Sequence, residues 1–222
     1  MDANNHLLLL TWARGTGLDL ALAILVLGVI WRLIEIFGLG RKPDLSAPRQ
    51  VAGASGWNTV LRRSVPPPGM LKTSPVSYIG GYTFHVGLAI VVFLFVPHIK
   101  LIEGLLGAAW PGLPSQVVDF VTVVTMAAMI VVLIDRITKP VKRYLSTFGD
   151  WFTWALTFIP LLTGWMAVHH LLVPYTLMLA LHILSVELLL VMLPFTKLFH
   201  AITVFGSRWF NGTVNGHKGV PV

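Results

Sequence analysis

The chain has 222 residues, 55% of them hydrophobic and 11% charged, where a soluble domain typically carries about 25% charged residues. With a mean hydropathy of +0.78 it reads as an integral membrane protein, and its lack of cysteine excludes disulfides, thiolate-held iron-sulfur clusters and Cys-x-x-Cys-His haem attachment. The net charge of +7 comes from basic residues between apolar runs rather than on one amphipathic surface, so it reports membrane orientation and not nucleic-acid binding.

Five apolar segments follow in chain order, approximately 17–37, 76–96, 117–134, 151–168 and 176–195. Each is near the roughly 20 residues a spanning helix requires, and together they predict an all-α bundle of five transmembrane helices in a single membrane domain, 1–222. No cleavable signal peptide is expected, because Asp2 precedes any basic residue and no small-residue cleavage site follows. Asp19, Arg32 and Glu35 suit interfacial positions of the first helix, and the last two are spaced to pair. The connection 38–75 is basic and rich in proline (Pro43, Pro48, Pro66, Pro67, Pro68, Pro75). It reads as a solvated linker or as a docking surface for a cytoplasmic partner, not as a folded domain.

Arg41, Lys42, Arg49, Arg62, Arg63 and Lys72 follow the first segment, Arg136, Lys139, Lys142 and Arg143 follow the third, and Lys197, Arg208 and Lys218 lie in the tail. The connections 97–116 and 169–175 hold a single basic residue, Lys100. The positive-inside rule therefore puts the N-terminus outside and the C-terminus in the cytoplasm.

Of eight histidines, His6 and His217 lie in terminal segments and are expected to face solvent. His182 and His200 stand 18 residues apart on the closing segment. That is five helical turns, one face, and about 27 Å along the axis, close to the roughly 30 Å of a bilayer core. An antiparallel second helix brings His85 to the level of His200 and His98 to the level of His182. Each pair can supply both axial ligands of a six-coordinate haem b, which leaves no open position and favours electron transfer. Gly87 beside His85 suits the close approach of a flat ring. A single membrane histidine reads equally well as a hydrogen-bonding group between helices, but four at matched depths are harder to explain so.

Two features complicate this arrangement. His98 follows Pro97 and stands 13 residues after His85, which turns it about 220° away on a straight helix, so its role needs a helix bent at the proline. His169 and His170, at the outer end of the fourth helix, are its substitutes, or else they suit an interface or a quinol proton path. Glu187 lies five residues inward of His182, where an ionised carboxylate is costly. It reads as a proton acceptor at a quinone site or as an interhelical hydrogen-bonding group. Met126, Met129 and Met166 read as packing residues rather than ligands, and Trp110, Trp151, Trp154, Trp165 and Trp209 as membrane-belt anchors.

His182 to His200, enclosing Leu193-Pro194-Phe195-Thr196-Lys197-Leu198-Phe199, closely resembles the last helix of the respiratory nitrate reductase gamma subunit family. Phe84-His85-Val86-Gly87 resembles that family's second-helix ligand motif, and Arg143, Ser146, Thr147 and Asp150 resemble its entry into the fourth helix. The related membrane cytochrome linked to dissimilatory sulfite reductase shares this plan. The resemblance implies two b haems, with His85 and His200 as iron ligands on the cytoplasmic side and His98 and His182 on the outer side. It further implies electron exchange between quinone and a cytoplasmic iron-sulfur subunit joined to a catalytic subunit, in the inner (plasma) membrane of a prokaryotic cell. The chain departs from the family at Phe95, where the family's second ligand, ten residues after the first, would stand. No nucleotide loop or nucleophile constellation is present, so terminal substrate chemistry is expected on partner subunits. A competing reading is a haem-free membrane anchor that recruits a soluble enzyme through basic loops. A transporter would predict inverted repeats and interrupted helices, neither of which is visible in the sequence.

Overall fold

A computed structural model of the chain describes residues 3–40, 45–49, 52–66 and 68–220. Arg41, Lys42, Pro43 and Pro67 of the basic connection lie outside the described residues. Among the described residues all regular structure is helical. Five stretches are long and apolar enough to cross a membrane: Ala3–Gly38, Pro75–Leu94, Ser115–Thr138, Phe148–Val168 and Tyr175–Phe195. Helices are the form such sequence must take in lipid, where backbone groups find no water and have to bond within the segment.

The first span starts earlier than residue 17. It comprises α1 (Ala3–Trp12), a π-helical turn (Ala13–Gly17) and α2 (Leu18–Gly38). Gly15 in the turn departs from helical geometry, at φ −109° and ψ −105°. Polar and flexible residues (Arg14, Gly15, Gly17, Asp19) interrupt the apolar pattern there, although Leu7 to Leu10 resume it upstream. One consequence corrects the reading of His6, which is buried rather than exposed to solvent.

Residue contacts divide the chain into two units. The first comprises Met1–Leu20 and Thr73–Leu189, and holds α5 (Pro75–Leu94), α6 (Val96–Leu106), α7 (Ser115–Thr138), α8 (Pro140–Leu145), α9 (Phe148–Val168) and most of α10 (Tyr175–Met192). Here α5 and α7 approach closely because Gly80 faces Val132 and Gly87 faces Thr125; a Cβ at either glycine would collide with the opposing side chain. Small residues allow such approach in lipid, where dispersion contacts rather than expulsion of water hold helices together. Val91, Val118, Met126, Met129 and Leu161 form the core beside them, in keeping with the packing role expected of Met126 and Met129. Trp154 and Trp165 pack against this core, and Trp154 Nε1 donates to Met129 O at 3.1 Å.

The Arg143–Asp150 stretch has a local structural purpose. Thr147 caps α9, its backbone N–H and hydroxyl both donating to Asp150 Oδ2 at 2.9 Å in a capping box. Arg136 reinforces this start, donating to Ser146 Oγ at 3.1 Å and lying 3.5 Å from Asp150 Oδ1. Nearby, Asp135 is buried between Lys139, at 2.6 Å, and Lys142.

The second unit comprises Ala21–Lys72 and Leu190–Val222. The connection 38–75 is not an unstructured linker: α3 (Ala52–Arg62) and α4 (Pro68–Thr73) form within it. The tail folds as α11 (His200–His217), against which α3 packs. Gly56 lies against Trp209 and Thr213, Thr59 and Val60 are buried, and Arg208 Nη1 donates to Ser64 Oγ at 3.0 Å. His217 is half-buried, with Nε2 on Ser46 O at 2.9 Å, which corrects its expected exposure. In the same unit Gly28 of α2 meets Pro194 and Phe195, Arg32 pairs with Glu35 at 2.5 Å as its spacing predicts, and the Arg32 guanidinium lies 5.6 Å from the centre of the Phe199 ring.

Replacing Gly87 with alanine is expected to destabilise the first unit by about 1–3 kcal/mol through overpacking. A compensating Thr125→Ala change should restore part of that loss, as read by thermal unfolding in detergent. Thr147→Ala should cost about 1 kcal/mol by removing the cap of α9, whereas Thr147→Ser should cost little.

Candidate functional site

The site begins where α5 stops. Leu94 ends the helix, Phe95 turns extended (φ −82°, ψ 122°), and α6 restarts with Pro97 in its first turn. A proline has no N–H to return to the carbonyl four residues before it, which here is Phe93. The last carbonyls of any helix also lack partners within it. Here they are met by other groups: Trp110 Nε1 donates to Phe93 O at 2.5 Å, Leu113 N to Leu94 O at 2.9 Å, and His98 Nδ1 to Val91 O at 2.8 Å. This break re-aims His98 and removes the misalignment expected on a straight helix.

His98 meets His182 of α10. The ring centres are 6.2 Å apart with planes inclined by 21°. His182 is held in turn by α9, its Nδ1 donating to Pro160 O at 3.0 Å, with Thr163 Oγ1 at 3.4 Å. Gly164 leaves room for the ring, since a Cβ there would lie 2.9 Å from His182 Cε1. Burial holds the His98 pKa below the ordinary histidine value of 6.5, outweighing the opposing effect of its bond to Val91 O. His98 is accordingly a neutral imidazole at neutral pH.

A carbonyl oxygen can only accept, so each of these bonds places the proton on Nδ1 and the lone pair on Nε2. His85 and His200 show the same arrangement, with Nδ1 on Gly81 O and Lys197 O, both at 2.7 Å. All four predicted ligands therefore share one hydrogen-bonding form, with Nδ1 on a backbone carbonyl. It is the form in which metal-binding histidines are set by their outer hydrogen bond. The remaining histidines with ring hydrogen bonds do the reverse: His217 offers Nε2 to Ser46, and His169 offers Nε2 to Asp119 Oδ1 at 2.7 Å. His169 thus makes an exposed hydrogen bond to a carboxylate, and His170 packs its ring on Tyr175 at 4.9 Å. His85 is on α5 in the first unit, and His200 opens α11 in the second.

The donor set fits a metal held between two imidazoles. Two metal–nitrogen bonds of about 2.0 Å each, in line, put the ring centres roughly 6 Å apart. No group of three or more His, Cys, Asp or Glu able to hold a metal ion occurs among the described residues, so the candidate is a two-histidine site. Gly87, expected to make room for a flat ring, is instead occupied with Thr125. Gly164 is the glycine beside a candidate ligand, and nothing in its own segment marks it until His182 is placed opposite. Trp165 Nε1 is buried there without an acceptor among the described residues. Glu187 is 6% exposed; its carboxyl lies against Gly17, and Oε1 has no hydrogen-bond partner among the described residues.

No family model matches the chain, and no solved structure matches it. It is 31% identical over 183 residues to an uncharacterised protein of Nitratidesulfovibrio vulgaris strain Hildenborough, an alignment covering 82% of this chain and 77% of that protein.

Gly164→Val should push the His182 ring off Pro160 O. The expected readout is a change in the histidine Nδ1 resonance by nitrogen NMR, absent in a Gly149→Ala control, since Gly149 has only Thr147 Oγ1 nearby, at 3.7 Å from a built Cβ.

Proposed function

We propose, for a chain that belongs to the same family as the Nitratidesulfovibrio vulgaris protein, the role of a di-haem cytochrome b subunit that moves electrons between the quinone pool and a cytoplasmic iron-sulfur or molybdenum partner. The observation that carries this reading is the His98–His182 pair, two half-buried imidazoles 6.2 Å apart with both Nδ1 atoms committed to backbone carbonyls. Two b haems, when bound, would supply the one-electron carriers.

His98 and His182 would hold the outer haem, and their carbonyl partners would fix ring direction and raise ligand basicity. His85 and His200 act as the cytoplasmic pair. Their pairing rests on the antiparallel register of the sequence and on the resemblance to the nitrate reductase gamma subunit family. Apolar residues around Val91, Val118 and Leu161 keep water from the outer site. At the quinol end, His169, His170 and Glu187 are the candidates to accept protons, His169 already bonded to Asp119. The N-terminus lies outside, and the basic connection 38–75 and the C-terminal tail face the cytoplasm, where they meet the partner subunits. Terminal substrate chemistry belongs to those subunits.

Purified protein should show reduced b-type absorption bands, and a pyridine haemochrome assay should find two haems per chain. His98→Ala and His182→Ala should each remove one haem, the same one. His85→Ala should remove the other, and His169→Ala neither. A wild-type protein without b-type bands would rule this reading out in favour of a haem-free anchor.

A further inference from the structure

Two acids are buried among the described residues, Asp135 and Glu187. Asp135 is answered by Lys139 and Lys142. Glu187 pairs with no cation among the described residues: its carboxyl faces the π-helical turn of the first span, where a Cβ on Gly17 would stand 2.9 Å from Oε1 and 3.0 Å from Oε2. Its head fills the gap that the absent glycine side chain leaves, and Oε1 remains without a partner. Trp12 shares that gap from the facing helix, while the charged residues of that helix nearest the turn, Arg14 and Asp19, are exposed. The other titratable side chains of α10 are Tyr175 and His182. Single-turn π segments inside helices are rare and concentrate at functional sites.

Glu187 and His182 share α10, five residues and about 7.5 Å of helical rise apart. The iron–porphyrin core between two neutral imidazoles, its propionates set aside, carries one net positive charge when oxidised and none when reduced. In apolar surroundings that change acts strongly on a nearby carboxyl. Glu187 is the buried acid with no other cation to pair with.

We propose that Glu187 is the redox-linked proton site of the outer haem. Its carboxylate is ionised while the His98–His182 site is oxidised, takes up one proton as that site gains one electron, and gives the proton back when the electron leaves. Electron and proton both come from the quinol-class donor, which loses two of each in becoming quinone; two successive rounds, with the electron passed on and the proton released from Glu187 between them, complete its oxidation. This inference rests on the proposed di-haem function and adds to it a specific proton carrier beside the wire.

The test is a potentiometric titration of the full-length protein in lipid nanodiscs at several pH values across the neutral range, followed by the haem absorption bands. In the wild type one of the two haems should shift by up to about 59 mV per pH unit, the value for one proton per electron, and the other should shift less. Glu187→Gln should flatten the steeper dependence, while Glu187→Asp should keep it. Equal slopes in the wild type and Glu187→Gln would overturn the proposal while leaving the di-haem function standing. A wild type without haem would remove both. Should Glu187→Gln lose its haem, reduced-minus-oxidised infrared spectra of the wild type decide. Reduction should produce a protonated-carboxyl band that Glu187→Asp displaces, and absence of that band overturns the proposal.

Discussion

The structure depends on one demand of the bilayer: every backbone carbonyl at depth needs a donor from the protein itself. Continuous helices meet it along most of their length. Where a helix breaks, something else must reach the freed oxygens. At the end of α5 this is done by an indole, a loop amide and an imidazole, from Trp110, Leu113 and His98. On α9, which carries Pro160 within it, the imidazole of His182 reaches the Pro160 carbonyl. His98 is thus oriented by a break in its own helical segment, whereas His182 is oriented by a second bond to a carbonyl within α9.

This removes an apparent choice between two readings of a membrane histidine. A ring that hydrogen-bonds to a helix has a structural explanation, and for one histidine alone that explanation suffices. Yet an imidazole has two nitrogens, and a bond from Nδ1 to a carbonyl leaves Nε2 as a base. The structural bond therefore creates the ligand tautomer instead of competing with it. His169 and His217 make the contrast, since their hydrogen bonds use Nε2. Neutrality follows from the same surroundings: burial keeps His98 uncharged, and a metal ligand must be unprotonated at the donating atom.

Glycines divide the work differently from what their neighbours suggest. Gly87 sits two residues from His85, yet it serves the crossing of α5 and α7 through Thr125, whereas Gly164, 18 residues before His182 in sequence, makes room for it. The chemistry of Met126 and Met129 permits ligation, but both are enclosed in the core. The Thr147–Asp150 box shows a family-like motif acting as a helix start, with Arg136 drawn to it by charge.

The sequence by itself determined the five spans, the histidine spacing of the closing segment and the Arg32–Glu35 pair, because each depends on residues near in sequence obeying helical period or bilayer length. It did not reveal α1 beyond the polar turn at Arg14 to Asp19, nor α3 and α11, whose short and weakly apolar helices are stabilised by packing on each other. It raised doubt about His98 because a rotation count assumes an unbroken helix. Only the tertiary structure decided where His98 points, since the break at Phe95 is completed by donors from residues 110 and 113. The tautomers and the isolation of Glu187 were likewise decided there, because hydrogen bonds and burial are set by neighbours far away in the chain.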